Sequence, residues 1–567
     1  MNERVPGNQH FWDKSYPEKV KWNIQEDAGL WTGPLYHHFD SSVHRYPHKT
    51  AFTFLEKSWS WQEMGGLVNR LAKGLHGHGI EKGVKVGLCL PNCHYYMIAY
   101  YALAKTGATI VNYNPLYAED ELARQIEDSQ TDYMITVDLK QIYPKLEKML
   151  HATRLNQLIV CPFADCLPFP KNLLFPFVKR DDVCKIPNND RHLPFKKLIE
   201  NDGNFTPPDI DVDHDVVLFQ YTGGTTGIPK GAMLTHANLT ANVEQIVKWF
   251  HDCRHGEEKI MAVIPFFHVF AMTTILNFAA RCGFEIIALP RFDIQDTLEL
   301  IDKHRPQLFP AVPAIYNAIN NFHELKKYDV SSLRYCISGG APLPAEVKRD
   351  FEFTTGCVLV EGYGLSETSP VLCVNPLDGK IKTGSIGLPL PGTVIELHCP
   401  ESGELVTKPH HRGEIWAKGP QVMAGYWNRP DETAKVMENG FFKTGDVAEY
   451  DEDGYLFIVD RIKDLILVNG YNVYPRLIEE AIYKHPSVEE CVVAGIKDPA
   501  RGEAPKAWIK LKDGLRMDEH DMRTFLEDKI SRIEMPRQFE FRTEPLPKTM
   551  IGKLSKKDLL AQESGRG

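Results

Sequence analysis

At 567 residues, with 43% hydrophobic and 25% charged residues, the chain has the make-up of a soluble globular protein and room for more than one buried core. A net charge of −10 argues against a general affinity for nucleic acid. The twelve cysteines are scattered without a Cys-x-x-Cys pair. Cys89 with Cys93 and Cys161 with Cys166 come nearest but lack a second pair for zinc, so the thiols read as reduced and cytosolic. Glu3, Arg4, Asp13, Lys14 and Glu18 leave no apolar stretch for a secretory signal.

In chain order, Ser60-Trp-Gln-Glu63 is a capping box, and Met64, Leu67, Val68, Leu71 and Leu75 recur at helical spacing behind it. An alternating strand is predicted next over 84–90, completing one α/β crossover. Phe163 to Val178 is rich in Phe, Leu and Pro and is flanked by Lys171, Lys179 and Arg180, which predicts a surface element able to lie on a membrane. The apolar strand Val216 to Phe219 then delivers Tyr221-Thr-Gly-Gly-Thr-Thr-Gly-Ile-Pro-Lys-Gly231 to a sheet edge. Its glycines let backbone N–H groups turn inward, and the threonines and Lys230 add donors, which suits a polyphosphate. The spacing is not that of a P-loop NTPase, and taken alone the loop reads equally well as a flexible linker.

Ala262 to Ala280 approaches the length of a membrane span but carries Pro265, His268, Thr273, Thr274 and Asn277, so a buried helix with its entry turn is predicted. Strands at 285–289, 333–338 and 358–361 alternate with helices from Asp293 and Pro344, and Gly-rich turns follow their carboxyl ends, where open α/β sheets bind ligands. Beyond Gly413 the texture turns to short strands. The last hundred residues read as helix 475–485, strands 488–496 and 505–511, helix 518–530, strand 538–543, then a loop carrying Lys553 and a short helix. This is a small α+β domain joined at the polar Asp460-Arg-Ile-Lys-Asp464 turn.

The 221–231 stretch resembles the phosphate-loop signature of the adenylate-forming superfamily, which holds acyl- and aryl-CoA synthetases, peptide-synthetase adenylation domains and firefly-type luciferases. Glu361-Gly-Tyr-Gly-Leu-Ser-Glu-Thr368, Lys443-Thr-Gly-Asp446, Asp460-Arg-Ile-Lys-Asp464, Asn469-Gly-Tyr-Asn472 and Pro547-Lys-Thr-Met-Ile-Gly-Lys553 follow in the family's order and spacing. The resemblance implies an α/β fold, with a large N-terminal domain (1–460) of layered α/β sheets plus a small β-barrel, and a mobile α+β C-terminal lid (461–567).

It also implies roles. Thr222, Gly223, Gly224, Thr225, Thr226, Gly227 and Lys230 would cradle the ATP phosphates, with Thr222 and Glu367 nearest a Mg²⁺ ion. Adenine would lie between Tyr363 and the Gly339, Gly340, Ala341 turn. Glu361, Gly362, Gly364 and Ser366 belong to the same nucleotide site, and Asp446, Arg461 and Lys463 to its ribose and phosphate side. Lys553 is the implied catalytic lysine of adenylation. Rotation about Lys463 would withdraw it and bring Asn469, Gly470 and Tyr471 to a CoA pantetheine channel, where some relatives carry a lysine in place of Leu467.

The 439–475 region is most similar to bacterial long-chain fatty-acyl-CoA synthetases, which predicts a long-chain fatty acid as substrate, ATP and CoA as co-substrates, and a cytoplasmic enzyme with peripheral contact on the inner face of the cell membrane. The apolar stretch Phe266 to Phe278 would line the acyl tunnel. His268 stands as a catalytic residue at its mouth or as a satisfied core histidine. A medium-chain or aryl-CoA ligase, an acyl-AMP ligase serving a carrier protein, and a luciferase-like monooxygenase are the alternatives.

Overall fold

The capping box forms as read. Ser60 Oγ accepts from Glu63 N at 3.2 Å, Glu63 Oε2 accepts from Ser60 N at 2.7 Å, and the helix Trp61–Gly77 starts there. The following strand is Lys85–Cys89, and it does not alternate: its last four residues are all buried. It lies between the parallel strands Thr109–Asn112 and Tyr133–Val137, and a central parallel strand has both faces covered. In this computed structural model the described residues are 10–22, 30–222, 229–469, 471–498, 501–548 and 554–564.

The chain divides into two units, one of Tyr16–Val394 with Lys418–Gly440, the other of Met1–Ser15, Ile395–Ala417 and Phe441–Gly567. In the larger unit, a nine-stranded sheet runs in the spatial order Leu388–Pro389, Val371–Val374, Val358–Gly364, Tyr335–Ser338, Leu308–Ala311, Lys259–Ala262, Glu285–Ala288, Thr50–Phe54, Lys57–Ser60. An eight-stranded sheet runs Gly425–Tyr426, Lys230–Thr235, Val216–Thr222, Thr109–Asn112, Lys85–Cys89, Tyr133–Val137, Gln157–Cys161, His192–Pro194. Both sheets are mainly parallel in their centres. The helices after their strands start where the sequence places them: Asp293 caps Ile294–His304 by accepting from Asp296 N at 3.1 Å, and Pro344 precedes Ala345–Thr355.

The strand leading to the glycine loop is longer than its apolar core and is not at an edge. Val216–Thr222 is third from one end of its sheet and returns as a hairpin into Lys230–Thr235. The supposed near-span is a continuous buried helical run: Val269–Ala271, a π-helical Met272–Asn277, and Phe278–Cys282. Its polar groups are satisfied inside protein. Thr273 Oγ1 donates to Ser369 O at 2.6 Å, Thr274 Oγ1 to Phe270 O at 2.8 Å, and Asn277 accepts from Tyr101 at 2.9 Å. Among the described residues, no helix is long and apolar enough to cross a membrane. All twelve cysteines are free thiols.

In the smaller unit, Phe441–Tyr450 pairs antiparallel with Leu456–Arg461, a strand that crosses the 460/461 position. The C-terminal elements follow the predicted order, as Pro475–Tyr483, Val488–Asp498, Gly502–Leu511, Glu519–Leu526, Gln538–Arg542 and Lys556–Ser564. Ile478 and Ile482 of the first of these helices and Met522 and Leu526 of the second share a buried core with Val493 and Ile509 of the sheet. Ile466–Val468 pairs antiparallel with Tyr471–Val473, and Asn469 between them has φ +52°, the positive value that an Asn-Gly hairpin turn favours.

Candidate functional site

In the larger unit, several of the residues singled out in the sequence lie near the end of the strand Val216–Thr222. Thr222 lies directly across from Lys230, so the two bracket the glycine loop. Residues Gly223, Gly224, Thr225, Thr226 and Gly227 lie outside the described residues. The Lys230 ammonium is paired with Glu432, which Lys435 also holds at 2.5 Å, and these two lysines keep the Glu432 carboxyl well below the usual carboxylate range. The same ammonium sits 5.2 Å from the centre of the Tyr426 ring.

Tyr426 in turn donates its hydroxyl to Glu367 Oε1 at 2.8 Å. Burial, followed by the Glu367 charge, raises the phenol far above its ordinary pKa, so it remains a donor. Glu367 is on the 3-10 turn Ser366–Thr368, nine-tenths buried, and its backbone carbonyl accepts from Met423 N at 2.8 Å. Lys230, Tyr426 and Glu367 therefore form one linked arrangement of a cation, a hydroxyl and a fixed carboxylate, with Thr222 opposite Lys230 in the strand register. Neither Tyr426 nor Glu432 is among the residues that the sequence singles out.

The residues expected beside adenine follow the carboxyl ends of two adjacent parallel strands, where Ser338 is paired with Glu361. Gly339, Gly340 and Ala341 leave one strand, with Gly340 at φ +82°, and Gly362, Tyr363 and Gly364 continue the other. A Cβ on Gly364 would lie 1.9 Å from the Pro370 carbonyl oxygen, so no side chain fits there. Tyr363 is half-buried. Glu361 is buried and accepts from Gly384 N at 2.9 Å and Leu343 N at 3.5 Å, which makes it a brace for the turn. His268 is the residue before the buried helical run, and its Nδ1 accepts from Phe270 N at 3.2 Å. The Phe270 ring packs toward Gly339.

In the smaller unit, Asp446 and Arg461 are cross-strand partners, and Arg461 Nε donates to Asp446 Oδ1 at 2.9 Å. Asp446 is buried, and its carboxylate has two acceptor oxygens, one of which takes the Arg461 Nε–H. Lys463 is exposed in the 3-10 turn Ile462–Asp464. Asn469 N donates to Arg501 O at 2.9 Å, while Tyr471 and Leu467 are both exposed on the hairpin. Gly470 and Lys553 lie outside the described residues. Among the described residues no cluster of His, Cys, Asp or Glu of metal-binding geometry occurs.

The family model for AMP-binding enzymes matches residues 39–427, and that for the AMP-binding enzyme C-terminal domain matches 477–553. The chain is 42% identical over 568 residues to the long-chain-fatty-acid–CoA ligase of Bacillus subtilis strain 168, covering 98% of this chain and 99% of that protein. It is 35% identical to the protein of the same name from Escherichia coli O157:H7, covering 98% of each. The solved structure of ATP-bound MatB from Rhodopseudomonas palustris superposes with a TM-score of 0.81 at 26% identity, covering 94% of this chain and 99% of that one.

Proposed function

Because the chain belongs to the AMP-binding enzyme family, we propose that it activates a long-chain fatty acid with ATP and passes the acyl group to CoA. The full-length similarity to long-chain-fatty-acid–CoA ligases carries the substrate class. In the first half-reaction a carboxylate oxygen bonds to the α-phosphorus, the bond to pyrophosphate breaks, and acyl-AMP forms. In the second, the CoA sulfur bonds to the acyl carbon, the thiol proton is lost, and AMP leaves. Thr222 and Lys230 receive the β- and γ-phosphates, for which Lys230 exchanges Glu432 for phosphate oxygens. The hydroxyl of Thr222 and the Glu367 carboxylate that Tyr426 orients are hard oxygen donors that fit Mg²⁺, which when bound would neutralise phosphate charge. Tyr363 with Gly339 to Ala341 holds adenine, and Asp446 with Arg461 holds the ribose. Lys553 supplies the cation for attack of the carboxylate on the α-phosphate in this reading, and His268 precedes the helical run assigned to the acyl chain. Pyrophosphate release across acids from acetate to oleate, with and without CoA, tests this. Highest release with cinnamate-type acids, or none with palmitate or oleate, removes the reading.

The lid in this reading is residues 461–567, pivoting at Lys463 so that Asn469, Gly470 and Tyr471 meet CoA. Lys463 lies in a 3-10 turn, and proline there holds φ near −65° and prevents a second setting. Lys463→Pro is therefore expected to retain pyrophosphate release and to lose acyl-CoA formation in single-turnover assays. Wild-type rates for both steps would place the pivot elsewhere.

The same reading places the enzyme in the cytoplasm, in peripheral contact with a lipid surface through Phe163 to Arg180. Phe169, Leu173, Phe177 and Val178 are all exposed there, Phe177 by 80% and Leu173 by 60%, beside Lys171, Lys179 and Arg180. Phe175 turns inward instead, with its ring 5.8 Å from that of buried Phe163. The double variant Leu173→Ser with Phe177→Ser is expected to lose at least half of its flotation with anionic liposomes while keeping its acyl-CoA activity in detergent. Unchanged flotation would exclude the segment.

A further inference from the structure

The loop that carries Lys553 is short, and both of its stems are fastened. Lys548 and Leu554 form an antiparallel bridge, Ser555 N donates to Pro547 O at 2.8 Å, and Lys548 pairs with Glu490 at 2.5 Å. Glu490 also accepts from Leu546 N at 2.8 Å, and Leu546 and Leu559 pack with Trp508 in one buried cluster. Three residues beyond Lys553, Lys556 opens the helix Lys556–Ser564. A lysine there faces the positive end of the helix dipole, which is the unfavourable end for a cation. Carboxylates from other segments answer it.

Lys556 Nζ lies 3.6 Å from Glu479 Oε1 and 3.9 Å from Asp464 Oδ2. Burial alone would lower its pKa, but Glu479, Asp460 and Asp464 together hold it above the ordinary lysine value. Glu479 and Asp460 are held by hydrogen bonds. Glu479, on the helix Pro475–Tyr483, accepts from Val493 N at 2.7 Å. Asp460 accepts from Arg461 N and Arg476 N, both at 2.8 Å, which ties the start of the turn to the same helix. Asp464 is the last residue of the 3-10 turn that contains Lys463. Because the ammonium lies between two carboxylates at contact distances rather than closing on either, it can stay paired with one while the other moves.

From this geometry we infer that Lys556 is a positioning residue that links the hinge turn to the stem of the Lys553 loop, so that the setting of the hinge and the placement of Lys553 change together. This rests on the reading of Lys553 as the adenylation lysine and of Lys463 as the pivot. Burial pushes Glu479 up to about 7, so near neutral pH it is the Lys556 charge that favours its ionised form. Lys556 never touches substrate in this scheme. Its loss leaves the catalytic cation present but loosely aimed, and misplacement of about 1 Å is enough to cost about a hundredfold in rate.

The test uses the full-length enzyme, palmitate and separate half-reactions. Lys556→Met is expected to lower the single-turnover rate of pyrophosphate release by roughly ten- to a hundredfold. The KM for ATP and for palmitate should stay within about twofold, and conversion of supplied palmitoyl-AMP to palmitoyl-CoA should be much less affected. Lys556→Arg should restore most of the loss, and Asp464→Asn should add little to Lys556→Met because both remove the same link. Equal losses in both half-reactions with a lowered melting temperature, or wild-type adenylation in Lys556→Met, overturns the inference. Lys553→Ala run alongside separates the two claims: if that variant adenylates normally, the underlying assignment of Lys553 has failed, whatever Lys556→Met does.

Discussion

Lys553→Ala is expected to slow acyl-adenylate formation by roughly a hundred- to a thousandfold while leaving conversion of supplied acyl-AMP to acyl-CoA within about tenfold of wild type. Attack of a carboxylate on the α-phosphate brings like charges together, and a cation between them lowers the barrier only in that step. The thioester step has a neutral thiol attacking an acyl carbon, with AMP as an already stable leaving group, so the same ammonium has little to stabilise. Quenched-flow measurement of pyrophosphate from palmitate and ATP, paired with palmitoyl-CoA yield from synthetic palmitoyl-AMP, separates the two. Parallel losses in both would make Lys553 a structural residue and would remove the separation of roles on which the proposed cycle depends.

Local signals in the sequence carried most of the fold because they rest on interactions between near neighbours. The Ser60–Glu63 box spans three residues, Asp293 caps its own helix, and the Asn469 turn needs only a positive φ. The strand at 85–89 misled because the two strands that hydrogen-bond its edges come from over twenty residues away, and only they make a central parallel strand of it. Likewise the glycine loop leaves an interior strand, since the Lys230–Thr235 partner and the Gly425–Tyr426 strand beyond it cannot be read from the apolar run itself.

The site shows the same division. The motif residues Thr222, Lys230, Tyr363, Glu367, Asp446 and Arg461 were named from sequence, and two of their pairings follow directly from strand register: Thr222 with Lys230 and Asp446 with Arg461. What orients them was not legible. Glu432 is 202 residues from Lys230 and Tyr426 is 59 from Glu367, and neither spacing has any period that a sequence pattern could reveal. Glu361 lies in a motif, but that its oxygens accept from backbone N–H groups of Gly384 and Leu343 has no sequence signal. Nothing local marks Lys556, because the carboxylates beside it, Glu479 and Asp464, belong to other segments of the chain.

Glu367→Gln is expected to reduce kcat/KM for ATP by roughly a hundred- to a thousandfold and to move half-saturation to higher Mg²⁺, with the fold intact by circular dichroism. The amide has nearly the shape of the carboxylate and can still accept from the Tyr426 hydroxyl, so packing at the Ser366–Thr368 turn is preserved and only the charge is lost. Tyr426→Phe makes the opposite change: the charge stays while the hydroxyl that aims it is removed, and Lys230 keeps an aromatic face to rest on. Loss of an outer partner of this kind costs about ten- to a hundredfold in metal affinity or activity, so the Tyr426 variant should fall between wild type and Glu367→Gln. A Mg²⁺ titration of pyrophosphate release, with calorimetry of Mg²⁺-ATP binding to the same proteins, checks both. If Glu367→Gln keeps the wild-type Mg²⁺ dependence, the carboxylate is not at the metal. If instead Tyr426→Phe is the more damaged of the two, the hydroxyl acts on ATP itself, and the order of roles along the chain Lys230, Tyr426, Glu367 must be reversed.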